Sequence, residues 1–277
     1  MRFVIYQGSG GLVHMLGGLV HCIEWCRMTN SHLIIDVKNH TYFKHKLSDF
    51  FDIAYFTNYS EDYNVIPSSI THFFGIPLTH VSNHNASLMP SNTYSMGSIN
   101  VGRPLNCYGN SKIRMYVGHG GNSRLNILKY MRVKPDFFAL MKEKINSIDP
   151  TILGSKYIGV HFRNTDRPND INYYIQAIKK YSNATIYLAT DDYTAYDKIK
   201  QSINNCKLVQ ITKPFNGNGQ PIHIVSNDKY ELNMNILIDI YMLSKAVDFI
   251  PSGMSLVSKL VMFMRSTNKT IFPINIE

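Results

Sequence analysis

The sequence of 277 residues predicts an α/β protein made of two doubly wound, Rossmann-like domains that face a cleft. Three observations lead there. The chain opens with a strand, a glycine loop, a helix and a second strand, which is the first step of a doubly wound sheet. From residue 157 onward, short apolar runs alternate strictly with amphipathic helical patterns, the signature of a parallel sheet covered on both faces. The length suits two ordinary domains, and 44% hydrophobic residues can fill two cores.

RFVIY (2–6) reads as a buried parallel strand, QGSGG (7–11) as a tight turn, and residues 12–30 as a helix through Leu12, Leu16, Leu19, Ile23 and Cys26. HLIIDV (32–37) is the second strand. Residues 38–110 are rich in Asn, Ser, Tyr, Phe and His and suggest loops, short helices and two or three strands. IRMYVGHGG (113–121) reads as a strand entering a glycine turn, and residues 134–148 as an amphipathic helix with Pro135 in its first turn. The boundary is expected at Asp149-Pro150, giving domains 1–149 and 150–277. Strands then follow at 157–162, 184–191, 207–212 and 247–252, and helices at 171–181, 194–203, 231–246 and 254–267, with a polar loop over 213–229.

The net charge of +9 suits an anionic ligand: nucleic acid, a membrane surface or a nucleotide. No basic tail and no run of five like charges is present, which argues against nucleic acid. Of the four cysteines, Cys22 and Cys26 fall one helical turn apart with no second pair nearby, so they read as small buried thiols and not as zinc ligands. No signal peptide and no run of about 20 apolar residues is visible, so a cytoplasmic enzyme without a transmembrane segment is expected.

Ligands of open parallel sheets sit at the carboxyl ends of the strands. YIGVHF ends there in His161, Arg163, Asp166 and Arg167. His161 and Arg163 are two apart and share a face if the strand continues. The guanidinium would grip a phosphate through two parallel hydrogen bonds, or would pair with Asp166. IYLATDD ends in Asp191 and Asp192; without an Asp-x-Asp triplet these read less as a metal site, and Asp191 reads as the cap of the next helix or as a partner for a ligand hydroxyl. Asp239 lies in an apolar helix and needs donors, either from a salt bridge or from a guanine edge. The turn 251–255, with Ser252 and Ser255, precedes a helix and offers free N–H groups to a phosphate. The loop Gly8-x-Gly10-Gly11 lacks the third glycine of a dinucleotide fingerprint, which disfavours a dehydrogenase that would use Asp36.

GVHFRNTDR (159–167), YLATDD (187–192) and LIDIYMLSKAVDFIPSGMSLVSKLV (237–261), in this order, resemble the three motifs of the GDP-fucose-dependent fucosyltransferases, and GGLVHML (10–16) is similar to their N-terminal glycine loop. The resemblance covers residues 156–265 and leaves the acceptor half unassigned. It implies a GT-B fold and an inverting, metal-independent transfer of fucose from GDP-fucose to a hydroxyl of a glycan acceptor, with no cofactor beyond the donor substrate. Arg163 would hold the β-phosphate; His161 and Asp239 would contact the nucleotide; Asp191 and Asp192 would shape the base and ribose pocket. Ser252 and Ser255, with Gly10, Gly11 and His14 of the first loop, would complete the donor site. The base would be Asp170, with Asp166 behind it. The alternatives are a GT-B transferase using another sugar nucleotide and a non-catalytic, basic nucleotide- or nucleic-acid-binding protein.

Overall fold

A computed structural model describes residues 3–8, 10–37, 43–65, 72–73, 76–77, 106–109, 113–117, 124–164, 169–214, 227–253 and 255–274. The chain divides into two compact units, Met1–Lys134 with Pro273–Glu277, and Pro135–Phe272. Each carries a largely or wholly parallel sheet. Among the described residues no helix is long and apolar enough to cross a membrane.

The first unit begins with β1 (Phe3–Tyr6), α1 (Leu12–Thr29) and β2 (His32–Ile35). Short strands follow: β3 (Phe51–Ile53), β4 (Tyr59–Ser60), β5 (His72–Phe73), β6 (Ile76–Pro77), β7 (Asn106–Gly109) and β8 (Ile113–Val117). Helix α2 (Arg124–Tyr130) and β9 (Met131–Val133) end the unit. The main sheet has the order β4-β2-β1-β8-β7. Its strands are parallel except for β7, which turns back antiparallel on β8. The strands β3 and β9 form a separate antiparallel pair, as do β5 and β6. More strands thus occur in residues 38–110 than the composition suggested, because each is only two to four residues long and too short to show a period. The helix α1 buries nearly every residue from Leu12 to Ile23, Gly17 and Gly18 included, as expected of a helix that is apolar all round. Asn30, with φ 49°, ends it in the left-handed conformation.

The second unit contains α3 (Pro135–Ile148), β10 (Tyr157–Phe162), α4 (Ile171–Ile178), β11 (Thr185–Thr190), α5 (Ala195–Ser202) and β12 (Lys207–Val209). It continues with α6 (Lys229–Lys245), β13 (Asp248–Ile250) and α7 (Leu256–Thr267). The helix α3, read from the sequence as the last element of the first half, packs here. Its buried face is Phe137, Phe138, Met141 and Ile145. Phe137 and Phe138 meet the rings of Tyr230 and Tyr241 on α6, and Lys144 bonds Glu231 and Asn235. Ile271 and Phe272 are buried, Phe272 against Phe138 and Tyr241.

The four-stranded sheet is wholly parallel, in the order β12-β11-β10-β13. Alternation along β10 and β11 divides the side chains between two faces. Ile158, Val160, Phe162, Ile186 and Leu188 pack against Tyr174, Ile175, Ile178, Ala195 and Ile199, so α4 and α5 cover one face. Tyr157, Gly159, His161 and Tyr187 turn to the other, where Tyr157 Oη donates to Met242 O at 2.8 Å on α6. The chain therefore steps from β10 through β11 to β12 on one side, then crosses over by α6 to β13 on the far side of β10. The strand order reverses between β10 and β13, and such a switch point opens a crevice at the carboxyl ends of the two strands.

Gly159 lets α6 approach the sheet. A Cβ there would lie 3.0 Å from Ala246 Cβ and 3.1 Å from Leu243 Cδ2. Ala246 Cβ cannot move without its backbone, so Gly159→Ala is expected to destabilise the protein by about 1–3 kcal/mol. The measurement is the denaturant midpoint at constant m-value; an unchanged midpoint would mean that the helix has slack.

Candidate functional site

Alternation aims His161 and Arg163 to the α6–α7 side of the sheet, at the exit of β10 beside the switch point. Phe162 goes the other way and seats its ring 4.9 Å from that of Tyr174. His161 is 8% exposed, and its Nδ1 lies 2.7 Å from Ser258 Oγ on α7. Burial, and then the positive charge of Arg163, push its pKa down to about 3, so the ring is neutral at physiological pH.

Arg163 Nε lies 3.9 Å from Asp191 Oδ2, with both side chains about a quarter exposed (27% and 21%). A part-exposed pair at this separation contributes little stability, on the order of 1 kcal/mol at most. Its effect is to give the guanidinium a heading. Asp166, the other acid proposed to pair with Arg163, lies outside the described residues, as does Arg167.

The two aspartates after β11 hold the loop that leaves β10. Asp191 Oδ1 accepts from the backbone N–H of Asn164 at 2.7 Å, and Asp192 Oδ2 accepts from Asn164 Nδ2 at 2.8 Å. The turn into α5 is closed by Asp192 and not by Asp191: its Oδ1 accepts from Thr194 N and Thr194 Oγ1, each at 2.8 Å. Among the described residues neither aspartate is the cap expected of Asp191: the N-cap of α5 is Thr194, without a side-chain cap hydrogen bond, and Asp191 is drawn to β10 by the Asn164 amide. Among the described residues no group of three or more His, Cys, Asp or Glu side chains is gathered as a metal site.

Asn169 is a member of this edge that no pattern in the sequence announced. Its Nδ2 donates to Arg163 O and approaches Ser252 Oγ at 3.4 Å, and its backbone N–H donates to Asn164 Oδ1 at 3.0 Å. It ties the turn after β10 to the turn after β13. A single Asn between a proline and an aspartate looks like any loop residue, and only the tertiary arrangement gives it partners.

Ser252, Ser255 and Ser258 are each 1% exposed. Ser258 Oγ accepts from Ser252 N at 2.9 Å, and Ser255 N donates to Ser252 O at 3.1 Å. Ser255 is the N-cap of the 12-residue α7, yet its side chain caps nothing, and its Oγ is buried without a hydrogen-bond partner among the described residues. Such a hydroxyl costs free energy unless something else engages it. It sits at the positive end of a helix dipole, where an anion is favoured.

Asp239 lies on the same face of the sheet. Among the described residues its donors are two hydroxyls and not a salt bridge: Tyr187 Oη and Thr212 Oγ1 both donate to Oδ1 at 2.6 Å. Burial pushes its pKa up to about 7; the two hydroxyls and the distant charge of Lys144 pull it the other way without winning. Asp170 is exposed at the start of α4, where its Oδ1 accepts from Asn172 N at 2.9 Å as an N-cap.

The glycine loop belongs to the first unit. Gly8 and Gly10 have φ of 72° and 71°, conformations that disfavour any side chain. Gly11 is the N-cap of α1, and a Cβ on Gly10 would meet the His14 side chain at 3.2 Å. Asp36 is buried and accepts from Gln7 Nε2 at 2.8 Å, which ties the ends of β1 and β2 together.

No protein-family model matches the chain, and no curated protein matches it significantly. Solved structures do match in fold. The chain is similar over 94% of its length to 91% of the NodZ α-1,6-fucosyltransferase co-crystallised with GDP, with a TM-score of 0.52 and 17% identity. The same enzyme, known from Bradyrhizobium, matches at 0.51 and 18% identity when soaked with GDP-fucose. A point mutant of Arabidopsis thaliana FUT1 in complex with GDP matches at 0.53 and 10% identity, over 95% of this chain and 68% of that one. The likeness is one of fold: mixed α/β with parallel sheets, as in these fucosyltransferases.

The state of Asp239 makes a prediction about stability. Its folded-state pKa, about 7, is raised above the usual 3.8, so folding favours the protonated form. The protein is expected to be most favoured by this group below pH about 4, to lose stability as the pH rises to about 7, and to level off above, by a few kcal/mol at most. Asp239→Asn keeps an oxygen for both hydroxyls and carries no charge. Its melting temperature relative to wild type should rise across that window; a difference independent of pH would show that the carboxyl is ionised throughout.

Proposed function

We propose that the chain is an inverting fucosyltransferase that moves L-fucose from GDP-fucose to a hydroxyl of a glycan acceptor. The observation that carries this reading is the pairing of an arginine at the exit of β10 with an unsatisfied serine at the N-terminus of α7, both at the switch point of a parallel sheet. The fold likeness to enzymes crystallised with GDP and GDP-fucose supports the nucleotide.

Breaking the bond between fucose and phosphate develops positive charge on the sugar and negative charge on GDP. A guanidinium with a set heading meets the second of these, and an N-terminal helix dipole with its free amides adds to it. A preorganised donor of this kind is typically worth about 3–4 kcal/mol in the transition state. Ser252 and Ser255 would contribute hydroxyl and amide donors to the phosphates. Asp239 would take the guanine edge through Oδ2, since Oδ1 is already bonded. Asp191 and Asp192 would act by holding Arg163 and Asn164, and so the wall of the base and ribose pocket. The acceptor hydroxyl needs a base. Asp170 is the candidate, with Asp166 as the second, and no metal is required.

The decisive test is incubation of the full chain with GDP-fucose and a panel of oligosaccharides, followed by product NMR. A fucosylated product with inverted anomeric configuration, formed equally in the presence of chelator, is expected. GDP released without fucosylated glycan, or strict dependence on added divalent metal, would refute the mechanism. Arg163→Ala should lower kcat by about two to three orders of magnitude with an unchanged melting temperature.

Asp170 can be tested through its cap. Asn caps a helix about as well as Asp, whereas Ala loses about 1 kcal/mol. If Asp170 is the base, Asp170→Asn loses turnover at wild-type stability; full turnover would pass the role to Asp166. Guanine recognition by ionised Asp239 also sets a pH dependence: the Kd for GDP should rise as the pH falls below about 7. Asp239→Asn should bind weakly at every pH and lose that part of the slope.

A further inference from the structure

The 2.7 Å contact between His161 Nδ1 and Ser258 Oγ contains a proton whose owner can be identified by counting donors. Ser258 Oγ has two partners among the described residues. One is Ser252 N–H at 2.9 Å, which can only donate; the other is His161 Nδ1. A hydroxyl has one proton to give and two lone pairs to receive with. If His161 carried its proton on Nδ1, it would fill the second lone pair. The serine's own proton would then be left inside a residue that is 1% exposed, with nothing to accept it among the described residues. A buried orphan of that kind costs about 1–3 kcal/mol. If instead Ser252 N–H donates to Ser258, and Ser258 donates to Nδ1, every group is satisfied. The doubly protonated ring fails for the same reason, since it too carries a proton on Nδ1.

We infer that Ser258 is a positioning residue that locks His161 in its neutral Nε2–H tautomer, so that the imidazole meets its ligand as a hydrogen-bond donor only. The lock spans three elements. It starts at a backbone amide in the turn after β13, passes through the first turn of α7, and ends on β10. Its direction is set by the first member, because an amide cannot accept. With Nδ1 taken by Ser258, Nε2 is the ring nitrogen left for another partner.

The consequence rests on the function proposed above. In a nucleotide site, a donor-only ring selects an acceptor at the point it touches: a carbonyl or ring nitrogen of a base, or a phosphate oxygen. It turns away an amino group at the same point. Arg163 beside it is also donor-only, so these two side chains offer donors alone, while Asp239 supplies acceptors on the same face of the sheet.

The test reads the tautomer directly. Histidine rings of the full chain are isotope-labelled, and long-range proton–nitrogen correlations are recorded, with the His161 signals assigned by their loss in His161→Gln. The wild type should show Nε2 protonated and Nδ1 bare at neutral pH. Ser258→Ala should release the ring, so that an Nδ1–H population appears. Ser258→Thr, which keeps the hydroxyl, should keep the wild-type pattern and guards against an alanine variant that does not fold. GDP titration is the second readout, and Ser258→Ala should raise Kd about two- to tenfold, the loss expected for one ordinary hydrogen bond. A wild-type ring protonated on Nδ1 would overturn the inference. So would an unchanged tautomer in a folded Ser258→Ala, or a changed tautomer with unchanged GDP affinity. Should GDP fail to bind the wild type at all, the proposed function falls, and the spectrum alone still decides whether Ser258 sets the tautomer.

Discussion

Parallel pairing of β13 with β10, Ile158 opposite Asp248 and Val160 opposite Ile250, is the constraint on which the rest of the second unit depends. It places the turn after residue 250 beside the turn after residue 162, although nearly ninety positions separate them. Because α4 leaves β10 on one face and α6 returns to β13 on the other, the two strand ends form a switch point of the sheet. Asn169 then ties the two turns together from one side, and the Ser252–Ser258–His161 chain ties them from the other. Gly159 makes the arrangement possible by letting α6 come close to the sheet.

Burial decides the charge pattern of this edge. His161 stands next to a guanidinium and is neutral, because both desolvation and the neighbouring charge oppose its protonation. Asp239 is acidic by type, yet it is held near neutrality of charge by the same desolvation, and two hydroxyls only moderate the effect. Asp149, at the amino end of the sheet, shows the opposite balance. Its side chain bonds Lys207 at 2.8 Å, and that bond, with Thr151, brings its pKa down to about 2. The two carboxylates thus differ widely in acidity because desolvation dominates at Asp239, whereas hydrogen bonds from Lys207 and Thr151 dominate at Asp149.

Much of the fold was legible because the second half obeys simple periods. The strands 157–162 and 184–191 and the helix between them came within a few residues of the observed elements, since each is long enough to show alternation or a helical stripe. The first half was less legible. Its strands of two to four residues carry no readable period, and α2 and β9 adjoin without a break. The helix over 135–148 was found, but its allegiance was not: its apolar stripe says that it packs, not what it packs against.

His161 and Arg163 could be placed on one face from their spacing alone, and the serines of the turn 251–255 could be assigned to a helix N-terminus, because strand alternation and helix dipoles are local properties. Ser258 and Asn169 could not be found, since a serine in a helix and an asparagine in a loop have no local signature; their meaning is wholly in their partners. The sequence by itself determined the succession of strands and helices and the residue types offered at each strand end. Only the tertiary structure decided which strand ends meet, which carboxylates are desolvated, and which way the proton between Ser258 and His161 points. Those properties depend on distances across the sheet, and covalent order does not encode distance between segments so far apart in the chain.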